Sequence, residues 1–183
     1  MKKIILTVFA ATSLLLYSTP SFALLNFSVG VPLSHTFTGK FSDGTELESD
    51  GASGYFIQIG VPMLPGIGMD SYKAQVKCPS CNNPFYVSTT MYNLYYLLPI
   101  PIINLTLGVG TGKSQYESEG KGYDDGTATQ FYTSIGVPII PLFDIHLSYR
   151  SVSSKIESTS GRDKGEKDDV GGNVMGLGIG FNF

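Results

Sequence analysis

Short segments in which apolar residues alternate with small or polar ones constrain this chain more than any other feature. In the last such segment every second residue is large and apolar, and the residues between are Gly or Asn. The alternating apolar residues there are Leu177, Ile179, Phe181 and Phe183. Because side chains of a strand point to opposite faces in turn, this period of two predicts a β-strand with one apolar face.

The spacing of the connections predicts how many strands there are. Three short turns contain proline, at 62–66, 99–101 and 138–141. They alternate with four longer polar segments, at 42–51, 77–84, 117–127 and 158–172. The intervening segments predict eight strands, at 25–41, 52–62, 66–77, 85–98, 102–116, 127–137, 142–157 and 173–183. Strictly alternating short and long connections indicate an all-β fold, an eight-stranded antiparallel up-and-down barrel.

The period alone does not say whether the apolar faces point into the barrel or out of it. Only 15% of the residues are charged, and two long stretches, 4–39 and 78–112, contain no Asp, Glu, Lys or Arg. The face opposite the apolar one is rich in Gly, Asn, Ser and Thr rather than in Lys and Glu. These features favour apolar faces that contact lipid, and therefore a transmembrane barrel.

The first 23 residues have the pattern of a secretory signal peptide. Lys2 and Lys3 precede an apolar run over 4–17, and the small-residue sequence Ser21-Phe22-Ala23 follows. The run is too short to span a bilayer as a helix. We therefore expect a signal peptide at 1–23 and the barrel domain at 24–183. The barrel domain then has ten basic and fifteen acidic residues, and nothing in it favours a nucleic-acid partner.

Two strands do not fit the alternation. Pro32 falls inside the first strand, which predicts a bulge or break there. Unbroken alternation beyond Pro32 would place Ser34 inward, and His35 and Phe37 on the outward face. In the third strand Ile67 and the pair Tyr72 and Ala74 have opposite parity, so we expect a bulge near Asp70.

With these features the chain resembles the small eight-stranded outer-membrane barrels of Gram-negative bacteria, the OmpA/OmpX/OmpW-like class. The signal peptide, the eight alternating segments and the final strand carry the resemblance. In that class a terminal Phe with apolar residues at every second position before it is similar to the signal read by the barrel-assembly machinery. The resemblance therefore implies this role for Leu177, Ile179, Phe181 and Phe183. It also implies that the short turns are periplasmic and the four longer loops extracellular.

One group of residues could carry chemistry. Asp144, His146, Ser148 and Arg150 share the inward face of the seventh strand. The pair His146 and Ser148 is similar to the His-x-Ser pair of lipid A deacylases, but that pair faces lipid, and Arg150 does not match the family's continuation. We expect a hydrogen-bonded polar network in the lumen, which also includes residues such as Gln58, Asn104 and Gln130.

The two cysteines, Cys78 and Cys81, lie in the second long loop. Two Cys and two His on distant segments do not make a tetrahedral metal site. In an exported protein a local disulfide between the two cysteines is expected instead. No metal, cofactor or catalytic residue is predicted. The charged segment 158–172 is expected to be a solvated loop.

These expectations define the predicted function. The chain is expected to be a non-enzymatic barrel of the Gram-negative outer membrane that displays extracellular loops for envelope integrity or surface interaction. The expected partners are outer-membrane lipids and lipopolysaccharide, the assembly machinery, and an extracellular ligand bound by the loops. Two alternatives stay open, a passage for small hydrophobic compounds like that of OmpW-like barrels, and lipid A modification.

Overall fold

The computed structural model describes residues 25–40, 44, 46–77, 85–100, 102–117, 123–140, 142–159 and 164–183. The signal-peptide prediction and the predicted Cys78–Cys81 disulfide lie outside these residues. The strands are β1 (Asn26–Phe37), β2 (Ser49–Gly60), β3 (Pro65–Val76), β4 (Phe85–Ile100), β5 (Ile103–Glu117), β6 (Gly126–Ile140), β7 (Phe143–Glu157), β8 (Lys167–Asp169) and β9 (Gly172–Asn182). Within the described residues, no helix is long and apolar enough to cross a membrane.

The eight long strands form a closed antiparallel barrel. Each strand from β1 to β7 pairs with the next one along the chain. β9 pairs with both β7 and β1 and so completes the ring. At the seam, the backbone N–H groups of Leu25 and Phe183 each donate to the other residue's carbonyl oxygen, at 3.0 and 2.9 Å. The predicted barrel fold is confirmed, with strand bounds within a few residues of those expected.

Two of the short turns contain fewer residues than the positions of their prolines predicted. β4 and β6 continue through Pro99 and Pro138 to Ile100 and Ile140, and β5 and β7 begin at Ile103 and Phe143. A register shift between Pro138 and Ile140 accommodates the missing N–H donor. In the turn between β2 and β3, Met63 has a φ of 65°, and its N–H donates to the Leu97 carbonyl oxygen at 3.1 Å.

The outer face of the wall is apolar only over its lower half, the half that carries the short turns. There the outward side chains form a continuous apolar band, with β5 contributing Leu107 and Val109, and β7 Ile145 and Leu147. The band extends over seven to nine residues along β5, β7 and β9. At 3.3 Å per residue and the usual tilt of 35–45°, the band is about 16–24 Å high, close to the apolar height of outer-membrane barrels.

Above the band both faces of the wall change polarity. The outward residues become polar or charged, as in Ser71 and Lys73 of β3. The inward residues become mainly apolar, and the uppermost of them form one buried cluster. That cluster contains Phe37, Leu47, Ala74, Val76, Val87, Ile156 and Val170. The upper half of the barrel is therefore polar outside and mainly apolar inside, as in a water-soluble protein, whereas the lower half is apolar outside and mixed polar and aromatic inside.

The bulge predicted at Pro32 is confirmed, and it overturns the predicted orientation of the residues after it. The register of β1 against β9 shifts between Pro32 and Ser34, so Leu33 is an extra residue. All later residues are therefore inverted relative to unbroken alternation. Ser34 is exposed, whereas His35 and Phe37 are only 7% exposed and lie inside the barrel.

The bulge predicted near Asp70 was wrong. β3 stays in continuous register with β4 from Pro65 to Val76. Tyr72, Ala74 and Val76 share the inward face with Asp70 and are buried. These residues are apolar because they fill the upper lumen. The apolar residues of β3 therefore move from the outward to the inward face along the strand, which in the sequence resembles the one-residue shift of a bulge.

The segment 158–172 is not a simple solvated loop. Its described residues, 158–159 and 164–172, include β8, which pairs with the upper end of β7. Val170 packs into the upper apolar cluster, and the Tyr116 hydroxyl donates to Asp168 Oδ2 at 3.1 Å. Sequence analysis did not identify Asp168 and Val170 as anchors, because they lie among charged residues that predict a solvated loop.

Candidate functional site

The lumen contains three layers of side chains, and the lowest is a carboxylate held by amides. Asp144 Oδ2 accepts hydrogen bonds from Asn104 Nδ2 at 2.8 Å and from Asn182 Nδ2 at 3.1 Å. Asp144 Oδ1 lies 3.3 Å from His146 Nδ1. The cavity beside this layer has a volume of about 10 Å³, which is room for about one water molecule.

The middle layer is a buried ion pair inside a hydrogen-bonded cluster. Arg150 Nε donates to Asp70 Oδ2 at 2.9 Å, and both side chains are almost fully buried. Gln130 Nε2 donates to the same carboxylate oxygen at 2.7 Å and to Asn93 Oδ1 at 2.5 Å. These contacts link β3, β4, β6 and β7 across the barrel.

Aromatic rings enclose that ion pair. The Arg150 guanidinium carbon lies 3.5 Å from the Phe56 ring centroid and 5.1 Å from that of Tyr132. The Tyr132 hydroxyl accepts a hydrogen bond from Gln58 Nε2 at 2.8 Å. A cation between two aromatic faces is stabilised by their electron-rich surfaces, so this layer blocks the lumen with both charge and bulk.

Small residues opposite these large side chains make the packing feasible. A Cβ at Gly108 would lie 2.2 Å from the Tyr132 ring, and one at Gly178 would lie 2.2 Å from His146 Nε2. The Gly-rich inward faces of β5 and β9 are therefore occupied by side chains from neighbouring strands. The third layer is the apolar cluster of the upper half.

The structure places the predicted site residues of β7 together on the inward face, but not in a catalytic arrangement. His146 contacts Asp144. Ser148 Oγ instead donates to the Gly176 carbonyl oxygen at 3.3 Å and accepts from Arg150 Nη1. All four residues face the filled lumen, away from the apolar outer face. Within the described residues no group of three or more His, Cys, Asp or Glu could hold a metal ion.

The four alternating residues of the last strand lie on the outer face. The Phe181 ring lies between two other rings, with centroids 4.9 Å from Phe143 and 6.2 Å from Phe27. Phe183 stacks on Phe181 at 6.5 Å. Leu177 and Ile179 are exposed in the apolar band. This strip borders both β1 and β7, the neighbours of β9 in the ring.

Sequence analysis missed several lumen residues. It did not assign Asp70 to the lumen network, since the carboxylate partner of Arg150 lies 80 positions away along the chain. Asn93 and Tyr132 were missed because they lie within apolar segments. One sequence signal could have identified Asp70 and Asn93. A lone Asp or Asn in a strand with an apolar outer face must point inward and form a hydrogen bond there.

These features define a class of fold, the small closed eight-stranded barrel of outer-membrane proteins. Neisserial surface protein A has this fold, with a TM-score of 0.62 and 12% identity, over 87% of this chain and 97% of that one. The outer membrane protein OprG from Pseudomonas aeruginosa is also similar, with a TM-score of 0.53 and 12% identity, over 88% and 96%. No protein-family model matches the sequence. No curated protein matches it significantly either.

Proposed function

We propose that the chain is an integral protein of a Gram-negative outer membrane, that it is not an enzyme, and that its closed barrel displays extracellular connections for envelope integrity or surface interaction. The observation that carries this proposal is the wall itself, apolar outside over a membrane-sized band and polar outside above it. A water-soluble barrel has no reason to invert both faces at one height.

The packing of the lumen supports a display role over a passage. The middle layer around Arg150 and Asp70 and the upper apolar cluster both fill the barrel across its width. The cavity in the lower layer has a volume of about 10 Å³, room for about one water molecule. The inward orientation of His146 and Ser148 supports a non-enzymatic role, because a membrane lipid would reach the opposite face of β7.

Assembly through the barrel-assembly machinery is part of the proposal. In the strip Leu177, Ile179, Phe181 and Phe183 on the outer face, all but the half-buried Phe181 are exposed. β9 is the strand that completes the ring. Removal of Phe183 should therefore strongly reduce the amount of folded barrel in cells. In detergent, the same variant should refold with little loss of stability.

Membrane placement is tested by electrophoresis with and without boiling. A closed membrane barrel keeps its compact form in cold detergent and migrates faster than the boiled chain. We expect such a shift for protein extracted from outer membranes. A protein that shows no shift and is soluble without detergent would falsify the placement.

The display role is tested by conductance in planar bilayers. The filled lumen predicts no single-channel steps from the inserted, heat-modifiable protein. Stable steps would favour the passage instead. Lipid A from cells with and without the protein should have the same acyl pattern by mass spectrometry, and an altered pattern would show an enzyme.

A further inference from the structure

The first outward residue above the apolar band is small and uncharged on all eight long strands. Seven of these residues carry a hydroxyl and one carries an amide. They are Ser34, Ser53, Ser71, Thr90, Thr111, Thr129, Ser151 and Asn173. We call them the hydroxyl ring.

Members of the hydroxyl ring face each other directly at three places, and elsewhere, as between Thr90 and Thr111, they are offset by two residues. Ser71 lies directly opposite Thr90, Thr111 opposite Thr129, and Ser151 opposite Asn173. Directly opposed residues of antiparallel strands have Cβ atoms about 4.5–5.5 Å apart. Directly opposed members, and Thr129 with Ser153 above the ring on β7, therefore present donors and acceptors close enough to contact one bound molecule together.

The hydroxyl ring has no charge to offer a phosphate group. Recognition of phosphate usually relies on Arg or Lys. The nearest lysines on β3 and β5 are Lys73 and Lys113. On each strand the lysine is the next outward residue above the ring member. The two lysines pair with Glu117 at 2.7 Å and Asp125 at 3.2 Å. The hydroxyl ring thus suits a neutral partner that is itself rich in hydroxyl groups.

On β6 and β7 the ring opens into a groove of about 470 Å³. Its lining includes the hydroxyls of Thr127, Thr129 and Ser153. The charged residues of the lining are of both signs, with the lysines Lys155 and Lys167 and the acids Asp124, Asp125 and Glu157. Lys167 pairs with Glu157 at 3.3 Å. The volume is within the range of small-ligand sites, and it suits one or two sugar rings.

We infer that the hydroxyl ring and this groove bind the neutral sugar units of glycolipid headgroups in the outer leaflet. Hydroxyl groups donate and accept hydrogen bonds, as sugar hydroxyls do. The apolar band begins one outward position below, at Phe131 and Tyr149, where the acyl chains of the same lipid would lie. The partner is therefore lipid-borne sugar, and the inference rests on the proposed membrane placement.

Reconstitution into vesicles tests the inference. The full-length mature protein is inserted into phosphatidylcholine alone, or with digalactosyl diacylglycerol or phosphatidylglycerol added. The measured quantity is the temperature at which half of the protein loses its fast, unboiled migration. We expect the galactolipid to raise this temperature by roughly 2–4 °C, and the anionic phospholipid to leave it unchanged.

A matched pair of variants locates the contact. The double substitution Thr129→Val and Ser153→Ala removes two hydroxyls from the groove and should abolish the increase. Thr133→Val changes the same face of β6 inside the apolar band and should retain it. An equal increase from phosphatidylglycerol or from free lactose would overturn the inference, as would a groove variant that keeps the full increase. Failure to insert into any vesicle would instead refute the membrane placement, and the inference with it.

Discussion

Among the ion pairs of the described residues, that of Arg150 and Asp70 is the most deeply buried. Both are almost completely buried, 2.9 Å apart. Taking two charges out of water costs several kcal/mol per ion, which only close geometry and additional hydrogen bonds offset. Gln130 supplies one such bond, and the Phe56 ring covers the guanidinium. Each partner therefore depends on the other.

Breaking this pair should destabilise the barrel more than removing an exposed pair. We expect Arg150→Met to lower the free energy of unfolding by about 3–5 kcal/mol, because Asp70 is left buried without its cation. Adding Asp70→Asn should recover part of the loss. The measurement is urea unfolding in lipid vesicles, with the exposed Lys73→Met as control. Equal losses in Arg150→Met and the control would contradict this account.

The exposed pair Glu48 and Lys77 should show its contact in titration rather than in stability. A hydrogen bond from Lys77, at 2.8 Å, lowers the pKa of the Glu48 carboxyl below its ordinary value. The small stabilisation from this contact is present above the unfolded pKa and is lost as the pH falls through the folded one. Lys77→Met should return the pKa of Glu48 to the ordinary range in an NMR titration. An unchanged Glu48 titration in the variant would argue against the contact.

Individual strands show where the sequence was sufficient and where it was not. The alternation and the turns predicted eight strands almost to their observed bounds, and Pro32 predicted a bulge. The alternation could not show whether Pro32 adds an extra residue or only interrupts the strand, so unbroken alternation placed His35 and Phe37 outside. It also could not show that the apolar face of β3 moves from outside to inside at Asp70. A period of two reports that two faces differ, not which face meets lipid at each height.

The anchoring of β8 gives a prediction for one element. Val170 is 3% exposed in the upper cluster, so Val170→Asp would place a carboxylate among apolar side chains. We expect the segment between β7 and β9 to become sensitive to limited proteolysis while the barrel keeps its heat-modifiable migration. Lys164→Asp, in the exposed part of the same segment, is the matched control. Equal cleavage of both variants would show that Val170 does not anchor β8.

At the scale of the whole molecule, the outer face of the barrel is apolar in the lower half and polar in the upper half. Substitutions on one face of one strand should therefore differ with height. Leu107→Lys lies in the apolar band of β5 and should cost about 2–4 kcal/mol if it lies near the bilayer centre. Gln115→Lys lies on the same face above the band and should cost little. Unfolding in lipid vesicles measures both, and similar costs would contradict the assigned band.

The hydroxyl ring also limits how the molecule can tilt. Because the change from apolar to polar occurs on every strand, it outlines a closed contour around the wall. In the proposed membrane placement, leaning the barrel would push hydroxyls into hydrocarbon on one side and lift apolar side chains into water on the other. Both movements are unfavourable, so a large tilt is opposed. In that placement the polar end of the barrel would therefore leave the membrane within a narrow range of angles.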